Sequence, residues 1–395
     1  MKTKRLILLD YKMEFNILHN HTDGEIFQIR IMNSVTQHLR VSTPGRVCLF
    51  GEHQDYLNLP VIPCAISRRI SIAGQRRDDQ RVHLALPDMQ AEISFPLAAP
   101  LIYQEERDYF RSAVNVLRRD GFTFATGFDA EIHGNIPINS GTSSSTALVV
   151  TWINFLAQMS EQAKKLSPAE CARYAHAAEV LEFHEPGGMM DHYATACGGV
   201  FFLQFHPVLK IEALQPGLKS FILGDSGEPK DTKGILARVK NGVLKIAQQL
   251  VTRYPEFSLH TVELKNLDQH RRDLNSEQQA LLLGTLRNRD ITLEALALLR
   301  QPALDDRQLG RLLNDCQTVL REKLKISTPK IDRMLDAAMN AGAYGGKING
   351  SGGGGCMFVY APENTKTVAA AIEEAGGKAY IVEVDSGTRV EAPTE

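Results

Sequence analysis

The chain has 395 residues, 43% hydrophobic and 23% charged, with a formal net charge of −2. Such a length exceeds one small core and predicts two domains, with the composition of an ordinary soluble globular protein. The near-neutral balance gives no electrostatic reason to expect nucleic acid or a membrane surface as partner, so any anionic ligand must be held by a local site.

The six cysteines, Cys48, Cys64, Cys171, Cys197, Cys316 and Cys356, are scattered without CxxC spacing. They read as buried thiols of a reducing compartment rather than as disulfides or zinc ligands. No apolar run reaches the roughly 18 to 20 residues of a membrane span. The basic N-terminus is followed by neither a long apolar region nor a cleavage site, and a cytoplasmic protein is the expectation.

Residues 1–38 carry no sustained period and read as an N-terminal extension. Met32 as the natural start is one reading; a short real extension adding an edge strand is the other. Strand patterning begins at Leu39. Two strand-like runs flank Pro44-Gly45, which predicts a turn there. Glu52, His53 and Asp55 follow Gly51 at a strand end, where binding loops sit. That cluster has three readings: a metal site without a second ligand group at a convincing spacing, a solvated polar turn, or polyol recognition. Carboxylate acceptors and a two-faced histidine suit hydroxyls, which both donate and accept. Strands are expected over 61–66, 70–73 and 82–86, then a helix over 108–120 with Gly121 as its stop.

Phe128 to Ile132 reads as a strand. Pro137 to Ala147 (PINSGTSSSTA) reads as a small-residue turn opening a helix that runs through Leu156. Such a turn presents free N–H groups and the positive end of a helix, a geometry that binds phosphate. Its three consecutive serines add hydroxyls for phosphate oxygens or a hard cation; an ordinary capped serine loop is the plainer alternative. A helix over 168–181 carries Glu179. Asp191 follows the glycine turn at 187–188 and reads either as a helix cap or as a catalytic carboxylate. A strand pair over 206–225 closes the first half. Helices are expected from 232 to 300, broken at Pro255 and Gly284, then over 309–324 and 332–341. Residues 345–360 have the grammar of strand, glycine turn, strand, in which glycine permits positive φ and close approach to a ligand. A helix over 368–374 and a strand over 379–384 complete a βαβ-type half.

A GxxxxGK[ST] segment is missing from the sequence, as are the HRD and DFG segments of protein kinases. Two glycine-rich elements, a serine triplet, Arg46, a helix-borne carboxylate and Asp191 nevertheless suit phosphoryl transfer, which needs positioning and charge neutralisation more than covalent machinery. Three motifs, Pro44-Gly45-Arg46-Val47 through Tyr56, then Pro137 to Ala147, then Lys347 to Cys356, stand in the order found in GHMP small-molecule kinases. The chain resembles that family over about residues 39 to 385, and its first half is most similar to galactokinases.

The resemblance implies an α+β, two-domain GHMP kinase fold. Its N-terminal domain (39–206) would be ribosomal protein S5 domain 2-like and its C-terminal domain (207–395) ferredoxin-like, with the active site in the cleft between them. It implies ATP on the loop of Pro137, Ser140, Gly141, Thr142, Ser143, Ser144, Ser145 and Thr146, with Mg2+ on Ser145 and Glu179. Asp191 would be the catalytic base with Arg46 beside it, and Glu52, His53, Asp55, Gly188 and Gly353 would bind the sugar. Departures touch the substrate. Gly224 to Lys233 stands where galactokinases carry a Ser-Glu-Tyr-Asn-type segment, and Lys347 to Cys356 leans toward mevalonate kinases. His184-Glu185 and Thr142 also differ from the galactokinase pattern. The implied function is an ATP-dependent kinase for the anomeric hydroxyl of galactose or a related sugar, with sugar and ATP as small-molecule partners, acting as monomer or homodimer. The alternatives are a kinase for another hexose, a uronic acid or mevalonate, and a non-catalytic sugar and ATP sensor.

Overall fold

The computed structural model describes residues 38–98, 100–138, 140–229 and 232–391. The readings of the N-terminal extension and of Met32 therefore lie outside the described residues, His38 excepted.

The first half forms β1 (Leu39–Phe50), β2 (Ile62–Arg76), β3 (Arg81–Leu86), β4 (Ala91–Pro96), α1 (Tyr109–Arg119), β5 (Phe128–Gly134), α2 (Ser144–Met159), α3 (Pro168–His176), α4 (Met190–Cys197), β6 (Val200–Gln204) and β7 (Lys210–Leu214). The second half forms β8 (Phe221–Asp225), α5 (Thr232–Arg253), α6 (Ser276–Leu299), α7 (Asp306–Glu322), α8 (Pro329–Asn340), β9 (Gly345–Ile348), β10 (Cys356–Tyr360), α9 (Thr365–Glu374), β11 (Lys378–Val382) and β12 (Arg389–Glu391). The strands make two sheets. An eight-stranded sheet runs β12-β1-β2-β5-β3-β4, with β6 joining β2 and carrying β7; a four-stranded sheet runs β11-β8-β10-β9. This is the expected α+β arrangement.

β1 is buried along almost its whole length because both faces are covered. Val41 and Cys48 pack into a core with α1 to α4, while Val47 and Leu49 pack into a second core that continues into α5 to α9 and the small sheet. The larger sheet is thus the wall that both halves share.

Four local expectations are corrected. Pro44-Gly45 is no turn: β1 passes straight through it with a bulge in its register against β2. Proline lacks the N–H a regular ladder needs, and a bulge is where a strand tolerates that loss. The residues from 206 to 225 do not pair with each other. β7 hydrogen-bonds to β6, and β8 belongs to the other sheet. The chain therefore leaves the first sheet after β7 rather than at residue 207, and β12 returns to pair with β1. The helix carrying Glu179 ends as α-helix at His176 and continues through one π turn, Ala177–Leu181. Gly284 does not interrupt a helix but sits inside α6.

Gly284 is explained by packing. A Cβ there would lie 2.6 Å from Cβ of Lys323, at the end of α7. Alanine in a helix interior is favoured over glycine by about 1 kcal/mol, but overpacking of this kind costs about 1–3 kcal/mol. Gly284→Ala is therefore expected to lower the urea midpoint at unchanged m-value; a rise in the midpoint would show that α6 and α7 separate freely.

Candidate active site

The serine loop is seated on β1. A Cβ at Gly45 would come within 2.8 Å of the Thr142 carbonyl, so only glycine allows this approach. The Arg46 N–H then donates to that carbonyl at 3.1 Å. Behind the loop, the Ser140 hydroxyl donates to the Pro137 carbonyl and shares a hydrogen bond with Thr142 Oγ1, both at 2.8 Å. Pro137 and Thr142 brace the loop from the rear and are not part of the cavity wall. Ser140, Gly141, Ser143, Ser144, Ser145 and Thr146 line a cavity of about 630 Å3.

Ser143 occupies the N-cap of α2 in the left-handed region (φ 61°), and its side chain does not cap the helix. Its hydroxyl instead donates to Asp191 Oδ2 at 2.7 Å. The first turn of a 16-residue helix thus faces the cavity without a side-chain cap, which is the geometry of an anion site.

Asp191 lies in the first turn of α4. Arg46 grips it as a fork, Nε to Oδ1 at 2.8 Å and Nη2 to Oδ2 at 2.6 Å, and its Nη1 donates to the Gly141 carbonyl. Burial pushes the Asp191 pKa up, but the Arg46 charge, its hydrogen bonds and Ser143 outweigh burial, and the net result lies below the usual carboxylate value. An ionised carboxylate, 30% exposed, therefore faces the cavity beside the serine loop.

The Glu52–Asp55 turn forms the adjoining wall. Asp55 Oδ2 accepts from the Met190 N–H at the start of α4, at 3.1 Å. A Cβ at Gly188 would lie 2.0 Å from that same oxygen, so glycine there makes room for Asp55. Glu52 is paired in full burial with Lys347 of β9, whose Nζ also donates to the Cys48 carbonyl at 2.9 Å. The second oxygen of Glu52 has no hydrogen-bond partner among the described residues. His53 has both ring nitrogens engaged: Nδ1 accepts from the Tyr56 hydroxyl at 2.6 Å, and Nε2 donates to the Ser351 carbonyl at 3.0 Å. It ties the turn to the glycine loop and has no free nitrogen to offer a ligand. Gly350 and Ser351 of that loop reach the cavity. Gly353 does not; its N–H is spent on the Ile326 carbonyl at 2.7 Å.

Glu179, on the π turn, lines the same cavity as Ser145. His192 Nε2 lies 2.9 Å from Glu179 Oε2. The contact lacks the alignment of a hydrogen bond, and that carboxylate oxygen and both imidazole nitrogens are without a hydrogen-bond partner. The role of His192 was missed in the sequence, although it stands where the resembling motif has glutamine. Arg107 was missed too; at the rim it holds Glu185 through two 2.8 Å hydrogen bonds. So was Lys347, for which a lone lysine in an apolar strand was the available signal.

Comparison with known proteins places this geometry. Residues 108–199 match the GHMP kinase N-terminal domain, 294–381 the GHMP kinase C-terminal domain, and 29–76 the galactokinase galactose-binding signature. The chain belongs to the GHMP kinase family. As a GHMP kinase it is an ATP-dependent phosphotransferase. A mevalonate kinase of Thermococcus onnurineus is 28% identical over 360 residues, covering 89% of this chain and 97% of the relative. A galactokinase of Streptomyces coelicolor is 28% identical, with 85% and 87% covered. Among solved structures, Lactococcus lactis galactokinase complexed with galactose superposes with a TM-score of 0.79 at 20% identity, covering 91% of this chain and 96% of that one. Methanococcus jannaschii mevalonate kinase superposes at 0.67 and 19% identity, with 89% and 100% covered.

The buried His53 carries a stability signature. Burial lowers its pKa from 6.5 to about 4. Between those values the unfolded chain binds a proton that the folded kinase excludes, so stability falls as pH drops through that window, by about 3 kcal/mol in all. His176, also lowered to about 4 by burial, acts in the same direction. Denaturant midpoints measured from pH 7 to 4 should decline, and His53→Gln should flatten the decline while lowering the midpoint at pH 7. An unchanged slope in the variant would show that His53 is solvated.

Proposed function

We propose that this GHMP kinase transfers the γ-phosphoryl group of ATP to the anomeric hydroxyl of galactose or a closely related sugar. The observation that carries the reading is the ionised Asp191, held by Arg46 and Ser143 where the serine loop meets the Glu52–Asp55 turn. A hydroxyl lying between that carboxylate and a phosphate on the loop would have a base on one side and an electrophile on the other. Asp191 accepts its proton, and the Arg46 guanidinium offsets charge on the transferring group. The uncapped N–H groups of α2 bind phosphate oxygens.

Ser145 and Oε2 of Glu179, which lacks a hydrogen-bond partner, would hold a magnesium ion. When bound, that ion neutralises phosphate charge.

Asp55 and the free oxygen of Glu52 suit a neutral polyol as acceptor. The two arginines among the described wall residues, Arg46 and Arg107, are committed to Asp191 and Glu185. That leaves a substrate carboxylate without a counter-charge from either, which favours a sugar over mevalonate or a uronic acid. Mevalonate is the second reading, favoured by the mevalonate kinases among the relatives. None of the six cysteines, all among the described residues, forms a disulfide, which supports a cytoplasmic location.

ADP release measured over hexoses, hexosamines, pentoses, uronic acids and mevalonate decides between these readings. Turnover is expected with galactose or a close epimer. Turnover with mevalonate alone would sink the sugar assignment, and ATP binding without any turnover would leave a sensor. Asp191→Asn should reduce kcat at least about 100-fold with the fold intact; retention of most of kcat would remove Asp191 as base.

The acid limb of kcat/KM should lie below the usual carboxylate range, because Arg46 keeps Asp191 ionised. In Arg46→Met burial loses its main opponent, with the Ser143 hydrogen bond still acting against it, and the limb should move to higher pH. A limb that stays in place would mean that another group titrates.

A further inference from the structure

We propose that His192 supplies a nitrogen ligand to the divalent cation held at Glu179 and Ser145, so that this kinase discriminates in favour of Co2+ over Mg2+ more strongly than an all-oxygen site would. The proposal rests on the cation reading above and adds a donor to it.

Three buried polar atoms are orphaned at one spot: Oε2 of Glu179 and both ring nitrogens of His192. Native proteins rarely leave such atoms unsatisfied, and each calls for an explanation. His192 is 2% exposed and Glu179 8%, yet both line the cavity that Ser144 and Ser145 also line. The 2.9 Å between Nε2 and Oε2 is hydrogen-bond distance without hydrogen-bond alignment. It is, however, the separation of two neighbouring ligands of one ion: donors at about 2.1 Å and at right angles lie about 3.0 Å apart.

His176 packs edge-on against His192, with ring centroids 5.1 Å apart, and fixes its plane without occupying either nitrogen. Among the described residues no group of three or more His, Cys, Asp or Glu side chains forms a closed metal cage. His192 and Glu179 would therefore supply two donors, with a serine hydroxyl and phosphate oxygens needed for the rest. Magnesium prefers oxygen donors, whereas a nitrogen donor raises affinity along the first transition row, more for Co2+ than for Mn2+. The histidine stands where the resembling galactokinase motif has glutamine, whose amide offers an oxygen.

The full-length protein with Mn2+ and ADP, studied by electron spin-echo envelope modulation, tests this directly. The wild type should show 14N modulation from a coordinated imidazole, and His192→Gln should lose it. Titration of Co2+ and Mg2+ in the presence of ADP should show the Co2+-to-Mg2+ affinity ratio falling at least about tenfold in His192→Gln, the lower end of what loss of even a supporting partner costs a metal ligand. Mn2+ bound without nitrogen modulation in the wild type would overturn the proposal and leave the cation site standing. Modulation that persists in His192→Gln would overturn it equally, by assigning the nitrogen elsewhere. Failure to bind Mn2+ with ADP at all would overturn both the ligand and the cation reading beneath it.

Discussion

The guanidinium of Arg46 is the fixed point of this structure. It is almost fully buried, and a charge removed from water must find its compensation within the protein. Here the compensation is complete: two donors on the Asp191 carboxylate and one on the Gly141 carbonyl. Because a guanidinium is planar and rigid, its hydrogen bonds are also measurements. They set the start of α4 against the serine loop, and both against β1. One residue therefore fixes the carboxylate, the loop amides and the strand relative to each other before any ligand arrives.

The same carbonyl extends the frame into the second half of the chain. Gly141 also accepts from the Asn349 side chain at 2.8 Å, and Asn349 Oδ1 takes the Cys48 N–H at 2.9 Å. The glycine loop that follows β9 is thus registered on the serine loop and on β1 by a single amide. His53 and Lys347 repeat the pattern further along, each joining the Glu52–Asp55 region to the region around the glycine loop.

Legibility in the sequence followed the range of the interaction. The serine loop and Asp191 could be read because small residues before an apolar helix carry a local meaning, and Arg46 because it sits in a motif. Long-range packing decided the rest. Pro44-Gly45 has the local preference of a turn, but pairing with β2 on both sides of the bulge holds β1 extended through it, and β12 pairs only the stretch before it, Arg40 to Ser42. Gly284 has the local preference of a stop, but its meaning is the passage of Lys323. Which glycines of the 350–355 loop face the cavity depends on Ile326, and no spacing within the loop reports that. His53 could be seen as two-faced but not as already satisfied. Glu52 and Lys347 lie 295 residues apart, and neither implies the other until the sheets come together.

The polar contacts that cross from the first half of the chain to the second have a mechanical consequence. Asn349 with Cys48 and Gly141, Lys347 with Glu52, Asn288 with the Glu52 carbonyl and His53 with Ser351 all span the floor of the cleft. No clamshell hinge could leave them intact, since every one would be pulled apart at once. The floor is a rivet line, and any motion that admits ligands must leave it in place, whereas the Arg107–Glu185 and Lys240–Pro186 contacts lie outside that line. The chemistry of this site is thus housed in a fixed mould.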